Sequence, residues 1–261
     1  MRRILVAGTL LACLLALAVP EAAFAHPLGN FTVNRYARLE LQPRQLRVYY
    51  VLDMAEIPTY QDVVRIHSGE GLPTAVEQRV YLGTTVSRLG SGISADVDGT
   101  PLRFSVEEGS AKLSYPPGQG NLPTTRVVAW FFAPIPTAPS GASSRLTFRD
   151  ANFEDRIGWK EVVVRPLAGA RIDGATVSSV DQSDELRSYP QDMLSSPLDV
   201  RGASVTYTAV SGLGADSPLM VQARGRTGGW LQSATDAFTN LVSQPSLSLR
   251  FVLFALLAAA A

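Results

Sequence analysis

Apolar and polar side chains alternate along residues 31–41. The apolar positions are Phe31, Val33, Ala37, Leu39 and Leu41. Only Arg35 and Tyr36 break the alternation. Because successive side chains of a β-strand point to opposite faces, a period of two predicts a strand with one buried face. The pattern resumes over 46–52 after a turn at 42–45, so the two stretches predict a β-hairpin.

Further segments carry the signals of strands, helices and loops. Asp98-Gly99 predicts a second hairpin between 93–97 and 102–106, because a type I′ turn needs positive φ at both central residues. Apolar runs predict more strands at 126–132, 145–148, 159–164 and 203–210. Helical spacing predicts helices over 57–66 and 74–89, the second marked by Val76, Val80, Tyr81 and Leu89. Loops are expected at 111–123, 134–144 and 181–202, the last with a short helix. These elements predict a mainly β, sandwich-like domain with α+β elements over residues 26–225.

The first 25 residues have the parts of a secretory signal peptide. Arg2 and Arg3 form the positive region, 4–19 the apolar region, and Ala23-Phe24-Ala25 the cleavage site. Cleavage would leave His26 as the mature N-terminus. The alternatives are a retained membrane anchor and a lipid anchor at Cys13. Removal of the signal leaves a mature chain without Cys, which fits export without disulfides.

The end of the sequence, 251–261, is an unbroken apolar run. Because a bilayer span needs about 20 apolar residues, we expect 247–261 to be the start of a transmembrane helix. Residues 228–244 have apolar side chains at helical spacing with Trp230 near one end, and predict an amphipathic interfacial helix. A C-terminal helix packed against the domain is the alternative.

The composition excludes several classes of function. The chain has 23 Lys+Arg and 23 Asp+Glu, so its formal net charge is zero. We therefore expect no nucleic-acid binding, since no positive excess exists to displace counterions from phosphates. With 2 His and 1 Cys, the sequence contains no G-x-S-x-G, H-E-x-x-H or P-loop motif. We expect no enzymatic activity and assign no catalytic residue and no resident cofactor.

The two histidines are the residues to test as metal ligands. As a mature N-terminus, His26 would offer its α-amine and Nδ1 as a nitrogen chelate for nickel or copper. Pro27 weakens such a site because it has no N–H to deprotonate. His26 is our metal-ligand candidate, and the alternative is that it merely follows the signal cleavage. His67 would have to supply a third nitrogen, although its place near a helix end favours a role at the helix dipole.

Residues 150–161 partly match a calcium-binding loop. Asp150, Asn152 and Glu161 occupy its first, third and twelfth positions. The sixth position needs Gly for a sharp turn, and here it is Asp155. We favour a polar turn in which Asp150 and Asn152 bond nearby backbone groups, and calcium binding is the alternative.

Several blocks of the sequence resemble the extracytoplasmic domain that precedes the membrane part of some bacterial nickel/cobalt transporters of the NicO type. These blocks are HPLGNFTVNRY from His26, LDMAEIPTYQ from Leu52, DANFEDRIGWKE from Asp150 and SSPL from Ser195. The resemblance implies a multi-helix transport region after residue 261. It also implies that the membrane His and Asp residues handling the ion lie in that region.

The resemblance and the terminal segments together give our expectation. The chain is expected to be the extracytoplasmic accessory domain of a nickel or cobalt transporter in the bacterial inner membrane. The domain would face the periplasm or the exterior, and its partners would be the membrane and transporter subunits. The alternative is a secreted or membrane-tethered β-sandwich interaction module without a metal function.

Overall fold

The computed structural model of the protein describes residues 28–136, 141–190, 193–194 and 196–210. The strands in chain order are β1 (Val33–Gln42), β2 (Gln45–Met54), β3 (Ile93–Val97), β4 (Thr100–Pro101), β5 (Ser105–Val106), β6 (Lys112–Ser114), β7 (Thr125–Pro134), β8 (Ser143–Asp150), β9 (Lys160–Pro166), β10 (Ala170–Ala175) and β11 (Gly202–Ala209). Two α-helices, α1 (Glu56–Ile66) and α2 (Ala75–Gly92), and a 3-10 turn at Gln119–Asn121 complete the described elements.

The first hairpin is the centre of a six-stranded sheet. β1 pairs antiparallel with β2 without a register shift, from Val33 opposite Met54 to Gln42 opposite Gln45. β7 pairs antiparallel with β2, and β9 pairs parallel with β1. The strand order is β5-β7-β2-β1-β9, with β6 also pairing with β7. The parallel pair therefore joins the beginning of the described chain to a segment far along it.

A five-stranded sheet, in the order β10-β11-β8-β3-β4, shares one hydrophobic core with the first sheet. The six-stranded sheet contributes buried residues that include Leu39, Val48 and Phe131. The five-stranded sheet contributes Leu146, Phe148 and Tyr207 among others. These side chains occupy alternate positions of their strands, as expected for strands with one face turned to a common core. The predicted mainly β class, with helices added, is confirmed.

A second, smaller apolar cluster lies on the opposite face of the six-stranded sheet, which we call its outer face. Its buried members are Tyr36, Val51, Trp159, Val163, Leu186 and Tyr189. The last two belong to a segment without strands, so this part of the chain covers one end of the outer face. The cluster explains why Tyr36 breaks the alternation of β1: it is a large apolar ring at an outward position that the chain itself buries.

The two helices begin differently. Thr74 caps α2 with a capping box, because its Oγ1 accepts from Glu77 N at 3.4 Å and its own N–H donates to Glu77 Oε2 at 2.7 Å. Ala55 precedes α1 without a side-chain hydrogen bond. Both predicted helices are confirmed. Of the apolar residues that marked the second, Tyr81 and Leu89 are buried, whereas Val76 and Val80 are 65% and 61% exposed.

The structure corrects three local predictions. Of the strand expected at 102–106, only Ser105–Val106 is a strand, and it pairs with β7 of the other sheet; the strand that pairs with β3 in the hairpin is β4, which ends at Pro101. The expected loop at 111–123 contains β6 (Lys112–Ser114). β10 (Ala170–Ala175) was not predicted, because its sequence has neither a clear alternation nor an apolar run. The hairpin at Asp98-Gly99 is confirmed, with φ of 51° and 79° at its two residues.

The terminal predictions cannot be compared with the fold. The signal peptide (1–25), the interfacial helix (228–244) and the start of a transmembrane helix (247–261) all lie outside the described residues. Among the residues that the structure does describe, no helix is both long enough and apolar enough to cross a membrane.

Gly158 supplies the first testable prediction, because it lies where the chain enters β9 against β1. Its φ is 144°, and a Cβ here would lie 2.5 Å from Val33 O and 2.7 Å from Asn34 Oδ1. We expect Gly158→Ala to lower the free energy of unfolding by about 2 kcal/mol or more, through backbone strain and overpacking. Urea unfolding of the full chain in detergent, followed by tryptophan fluorescence, measures this change.

The matched control is Gly174→Ala in β10. A Cβ at Gly174 meets no atom within 4 Å, so we expect a change of no more than about 0.5 kcal/mol. Equal stability of the Gly158→Ala and Gly174→Ala proteins would contradict the close approach described for Gly158.

Candidate functional site on the outer face of the six-stranded sheet

The open part of the outer face carries arginine and aromatic side chains on three neighbouring strands. Arg38 of β1 lies opposite Tyr49 of β2, which in turn lies opposite Trp130 of β7. Arg47 lies two residues from Tyr49 on β2 and points to the same face. We call these four residues, Arg38, Arg47, Tyr49 and Trp130, the arginine–aromatic stripe.

The side chains of the stripe stack on one another. The Arg38 guanidinium lies 4.6 Å from the centre of the Tyr49 ring and 5.5 Å from that of Trp130. Arg47 lies 4.2 Å from the Trp130 ring, and the Tyr49 and Trp130 rings are 5.0 Å apart. Each such cation–π contact at a partly exposed site contributes about 0.5–1 kcal/mol. The stacking therefore fixes the orientation of both arginines.

Arg38 and Arg47 also form ion pairs with neighbouring carboxylates. Glu40 accepts from Arg38 Nε at 3.1 Å and lies 3.5 Å from Arg47 Nη1. Glu107, which follows β5, accepts from Arg47 Nη2 at 2.8 Å. Because each guanidinium is both stacked and ion-paired, the stripe is a pre-ordered surface rather than a set of free cationic side chains.

An open pocket of about 360 Å³ adjoins the stripe at Arg47. Its other lining residues are Gln42, Gln45, Glu107 and Phe132. The lining combines one aromatic ring with amide, carboxylate and guanidinium groups. Such a pocket can accept a side chain of a partner and hydrogen-bond its polar atoms.

The opposite end of the outer face is covered by a turn with an uncommon backbone. Three consecutive residues, Asp184, Glu185 and Leu186, have φ of 46°, 56° and 65°. A left-handed conformation costs about 1–2 kcal/mol for each non-glycine residue. A run of three therefore persists only where surrounding contacts hold it, and such strain is concentrated at functional sites.

Glu161 of β9 supplies the first anchor of the left-handed turn. It is 3% exposed and accepts from Ser183 Oγ at 2.6 Å, from Gln182 N at 2.7 Å and from Trp159 Nε1 at 2.9 Å. Ser183 Oγ in turn accepts from Leu186 N at 3.1 Å. A buried carboxylate on the sheet thus fixes the start of the turn.

Glu185 ties the left-handed turn to the stripe. Its carboxylate accepts from Arg38 at 2.5 Å, from Arg187 at 2.9 Å and from Tyr49 Oη at 3.3 Å. Arg126 of β7 donates to the backbone carbonyl oxygen of Glu185 at 2.5 Å. The turn is therefore held through both its side chain and its backbone.

These surroundings lower the pKa of Glu185. Partial burial by itself raises the pKa of Glu185, but the hydrogen bond and charge of Arg38, with Arg187 and Tyr49, outweigh burial and hold that pKa below its ordinary value. The partial burial of Tyr49 and the negative charge of Glu185 beside it raise the pKa of the Tyr49 hydroxyl. Glu185 therefore remains ionised and paired at neutral pH.

The composition of this surface matches that of protein-binding surfaces. Trp, Tyr and Arg are the residues most enriched at the energetic centres of protein interfaces. All four residues of the stripe have partly exposed side chains. Its acidic groups serve as acceptors for arginine and tyrosine, so the arrangement can bind a partner with aromatic, amide and charged groups.

The sequence-predicted metal residues fall in different places. His26 lies outside the described residues. His67 directly follows α1, as predicted, and its Nδ1 lies 2.9 Å from Glu77 Oε2. Across the described part of the chain, no group of three or more His, Cys, Asp and Glu residues is arranged to hold a metal ion.

The acidic segment 150–161 forms a polar turn rather than converging on one point. Asp150 Oδ1 accepts from the backbone N–H of Asn152 at 2.9 Å, and Asn152 Nδ2 donates to Leu89 O at 3.0 Å. Asp150 lies at the end of the shared core, whereas Glu161 points to the outer face and binds Trp159. The two carboxylates therefore do not meet. The predicted local backbone bond of Asp150 is confirmed, whereas the side chain of Asn152 bonds the distant backbone of Leu89 instead of a local group.

The stripe was not predicted from the sequence. In the alternating pattern of residues 31–41, Arg38 and Glu40 occupy polar positions like any others. A usable signal existed, because Arg47, Tyr49 and Trp130 all occupy the outward positions of strands whose inward positions are apolar. Large aromatic rings at positions expected to be polar mark a surface with a partner, either within the chain or outside it.

Comparison with known proteins does not assign this surface: no protein-family model matches the chain, and a search of curated proteins found no significant match.

The ionisation of Glu185 gives a pH-dependent prediction. Because its folded-state pKa is depressed, its stabilising effect is present above the unfolded-state pKa near 4.3 and is lost as pH falls below that value. We expect Glu185→Gln to lower the free energy of unfolding by about 1–2 kcal/mol at pH 7. Urea unfolding between pH 7 and pH 3 should show the difference from the unmodified protein shrinking below about pH 4.3.

Glu154→Gln is the control for this experiment, since Glu154 forms an exposed ion pair with Arg149. Exposed pairs contribute little, so we expect a small effect of Glu154→Gln at every pH. A Glu185→Gln effect that persists unchanged to pH 3 would contradict the role of its charge.

Proposed function

We propose that this chain provides a partner-binding accessory domain on the extracytoplasmic side of a bacterial nickel or cobalt transporter. The domain binds the transport subunit through the arginine–aromatic stripe and the adjoining pocket. The ion itself is handled by the membrane region of the transporter. The observation that carries the binding part is the stacked and ion-paired set of Arg38, Arg47, Tyr49 and Trp130.

The stripe supports binding because its side chains are already ordered. Association normally costs about 0.5–1.5 kcal/mol for each flexible side chain that becomes fixed. Arg47 is stacked on Trp130 and paired with Glu107 before any partner arrives. Little side-chain entropy remains to be lost on this surface, which favours a stable contact with a larger assembly.

The location and the transport role rest on the sequence. The signal-like residues 1–25 favour export, and the apolar run at 251–261 favours attachment to a membrane. The blocks that resemble the NicO-type domain connect that attachment to nickel or cobalt. Of these blocks, the one from Asp150 forms a polar turn that enters β9, so its role in the fold is structural.

A secreted or membrane-tethered interaction module without a metal function is the second candidate. The stripe supports this candidate equally, because a recognition surface does not depend on the partner being a transporter. The two candidates differ in one consequence: the nickel or cobalt content of the cell depends on the protein only if it is part of a transporter.

The test is made in the bacterium that carries the gene, with the whole gene product expressed. We expect deletion of the gene to change the nickel or cobalt content of cells grown with added metal, measured by mass spectrometry. Trp130→Ala with Arg47→Ala should move the content most of the way toward that of the deletion strain. Truncation of central interface residues costs about 2 kcal/mol or more, which corresponds to roughly 30-fold weaker binding.

Arg171→Ala is the matched control, because Arg171 lies on β10 of the other sheet in an exposed ion pair with Asp173. It should leave the metal content unchanged. Deletion without any effect on nickel or cobalt would contradict the transporter and favour the interaction module. A deletion effect that the Trp130 and Arg47 substitutions do not reproduce, at equal protein level in the membrane, would contradict the role of the stripe.

A further inference from the structure

Arg35 is a charged residue inside the core shared by the two sheets. It lies on β1 between Val33 and Ala37, both core residues, and it is 1% exposed. Its Nε lies 3.1 Å from Asp150 Oδ2. None of its three guanidinium nitrogens has a hydrogen-bond partner among the described residues, so its contact with Asp150 is an ion pair without a hydrogen bond. A buried guanidinium without hydrogen bonds is costly unless another group compensates it.

A second buried cation lies beside Arg35. Lys160 of β9 lies opposite Arg35 in the parallel pairing of β1 with β9. The next two pairs on the same face, Ala37 with Val162 and Leu39 with Val164, consist of core residues. The period of two therefore directs Lys160 to the same face as Arg35. Adjacent strands lie about 4.8 Å apart, and Lys160 is 5% exposed.

The nearest carboxylate is already occupied. Asp150 accepts from Tyr50 Oη, from Asn152 N and from Asn152 Nδ2, each at 2.9 Å, in addition to its contact with Arg35 Nε. A carboxylate has about four acceptor positions. Asp150 uses three of them for Tyr50 and Asn152, and it accepts no hydrogen bond from any guanidinium nitrogen of Arg35.

The other carboxylate is shared. Asp199 lies 3.1 Å from Lys160 Nζ and also accepts from Arg201 Nε and Nη2, both at 2.7 Å. The side chains of Asp199 and Arg201 are 48% and 38% exposed, whereas those of Arg35, Lys160 and Asp150 are buried. The buried charges at this end of the core therefore comprise two cations and one carboxylate.

We propose that the folded protein encloses one small monovalent anion of chloride size on the Nη edge of Arg35, with Lys160 as the neighbouring positive charge. The guanidinium N–H groups donate to the anion, which balances the excess charge. The nearly complete burial of Arg35 excludes a larger organic anion and means that the ion is enclosed as the chain folds. This site is separate from the outer face and does not depend on the transport role.

The first experiment measures the dependence of stability on chloride. The full chain in detergent is unfolded with urea at constant ionic strength, with chloride replaced stepwise by gluconate, an anion too large for the site. An ion bound only by the folded state lowers the unfolding equilibrium constant by up to about tenfold for each tenfold rise in its concentration. We expect this dependence in the unmodified protein and its loss in Arg35→Met.

Arg65→Met serves as the matched control, because Arg65 is an exposed arginine on α1 paired with Asp62. It should retain the chloride dependence of the unmodified protein. An unmodified protein whose unfolding constant does not change with chloride overturns the proposal, as does an equal dependence in Arg35→Met.

A second experiment needs no variant and decides the question if Arg35→Met does not fold. Crystals of the protein grown in bromide are examined by anomalous diffraction. An anomalous peak within about 3.5 Å of Arg35 Nη1 or Nη2 is the expected result, since halide contacts with N–H donors are only slightly longer than oxygen contacts. Bromide found only at exposed arginines overturns the proposal.

Discussion

The parallel pairing of β1 with β9 is the interaction on which the rest of the structure depends. It begins where Arg35 N donates to Trp159 O at 2.7 Å, and it runs to Leu41 opposite Pro166. The register decides which residues of β9 enter the core. A shift of one residue would turn Val162 to the outer face and bring Glu161 into the core, so the cost of placing the Glu161 carboxylate among apolar residues favours the observed register.

The same register builds the outer face. Because Glu161 points outward beside Trp159, it can hold Ser183 and so fix the left-handed turn. The turn then places Glu185 against Arg38 on the neighbouring strand. The backbone strain of the turn is thus balanced by buried hydrogen bonds and by an ion pair, and the position of Arg38 within the stripe depends on a contact made far along the chain.

The sequence was a good guide wherever the signal is local. The β1–β2 hairpin, the turn at Asp98 and both helices depend on neighbouring residues, and the pattern of those residues predicted them. The sequence shows that Arg35 breaks the alternation of β1, but it could not predict that Asp150 is its ion-pair partner. Asp150 comes close to Arg35 only when the two sheets pack against each other. The stripe was missed for the same reason: Arg38 and Trp130 become neighbours only through the register of β2 with two other strands.

The outer face divides into a part that the chain covers and a part that it leaves open, and the two parts differ in chemistry. Where the chain covers the sheet, apolar residues such as Tyr36 and Val51 are buried beside the hydrogen-bonded carboxylate of Glu161. The open part has large rings as well, but there Trp130 is stacked with arginines that carboxylates hold in place. Stacked arginines cover part of each ring and leave guanidinium N–H groups for a partner, so the open part combines apolar and polar contacts, as protein-binding surfaces do.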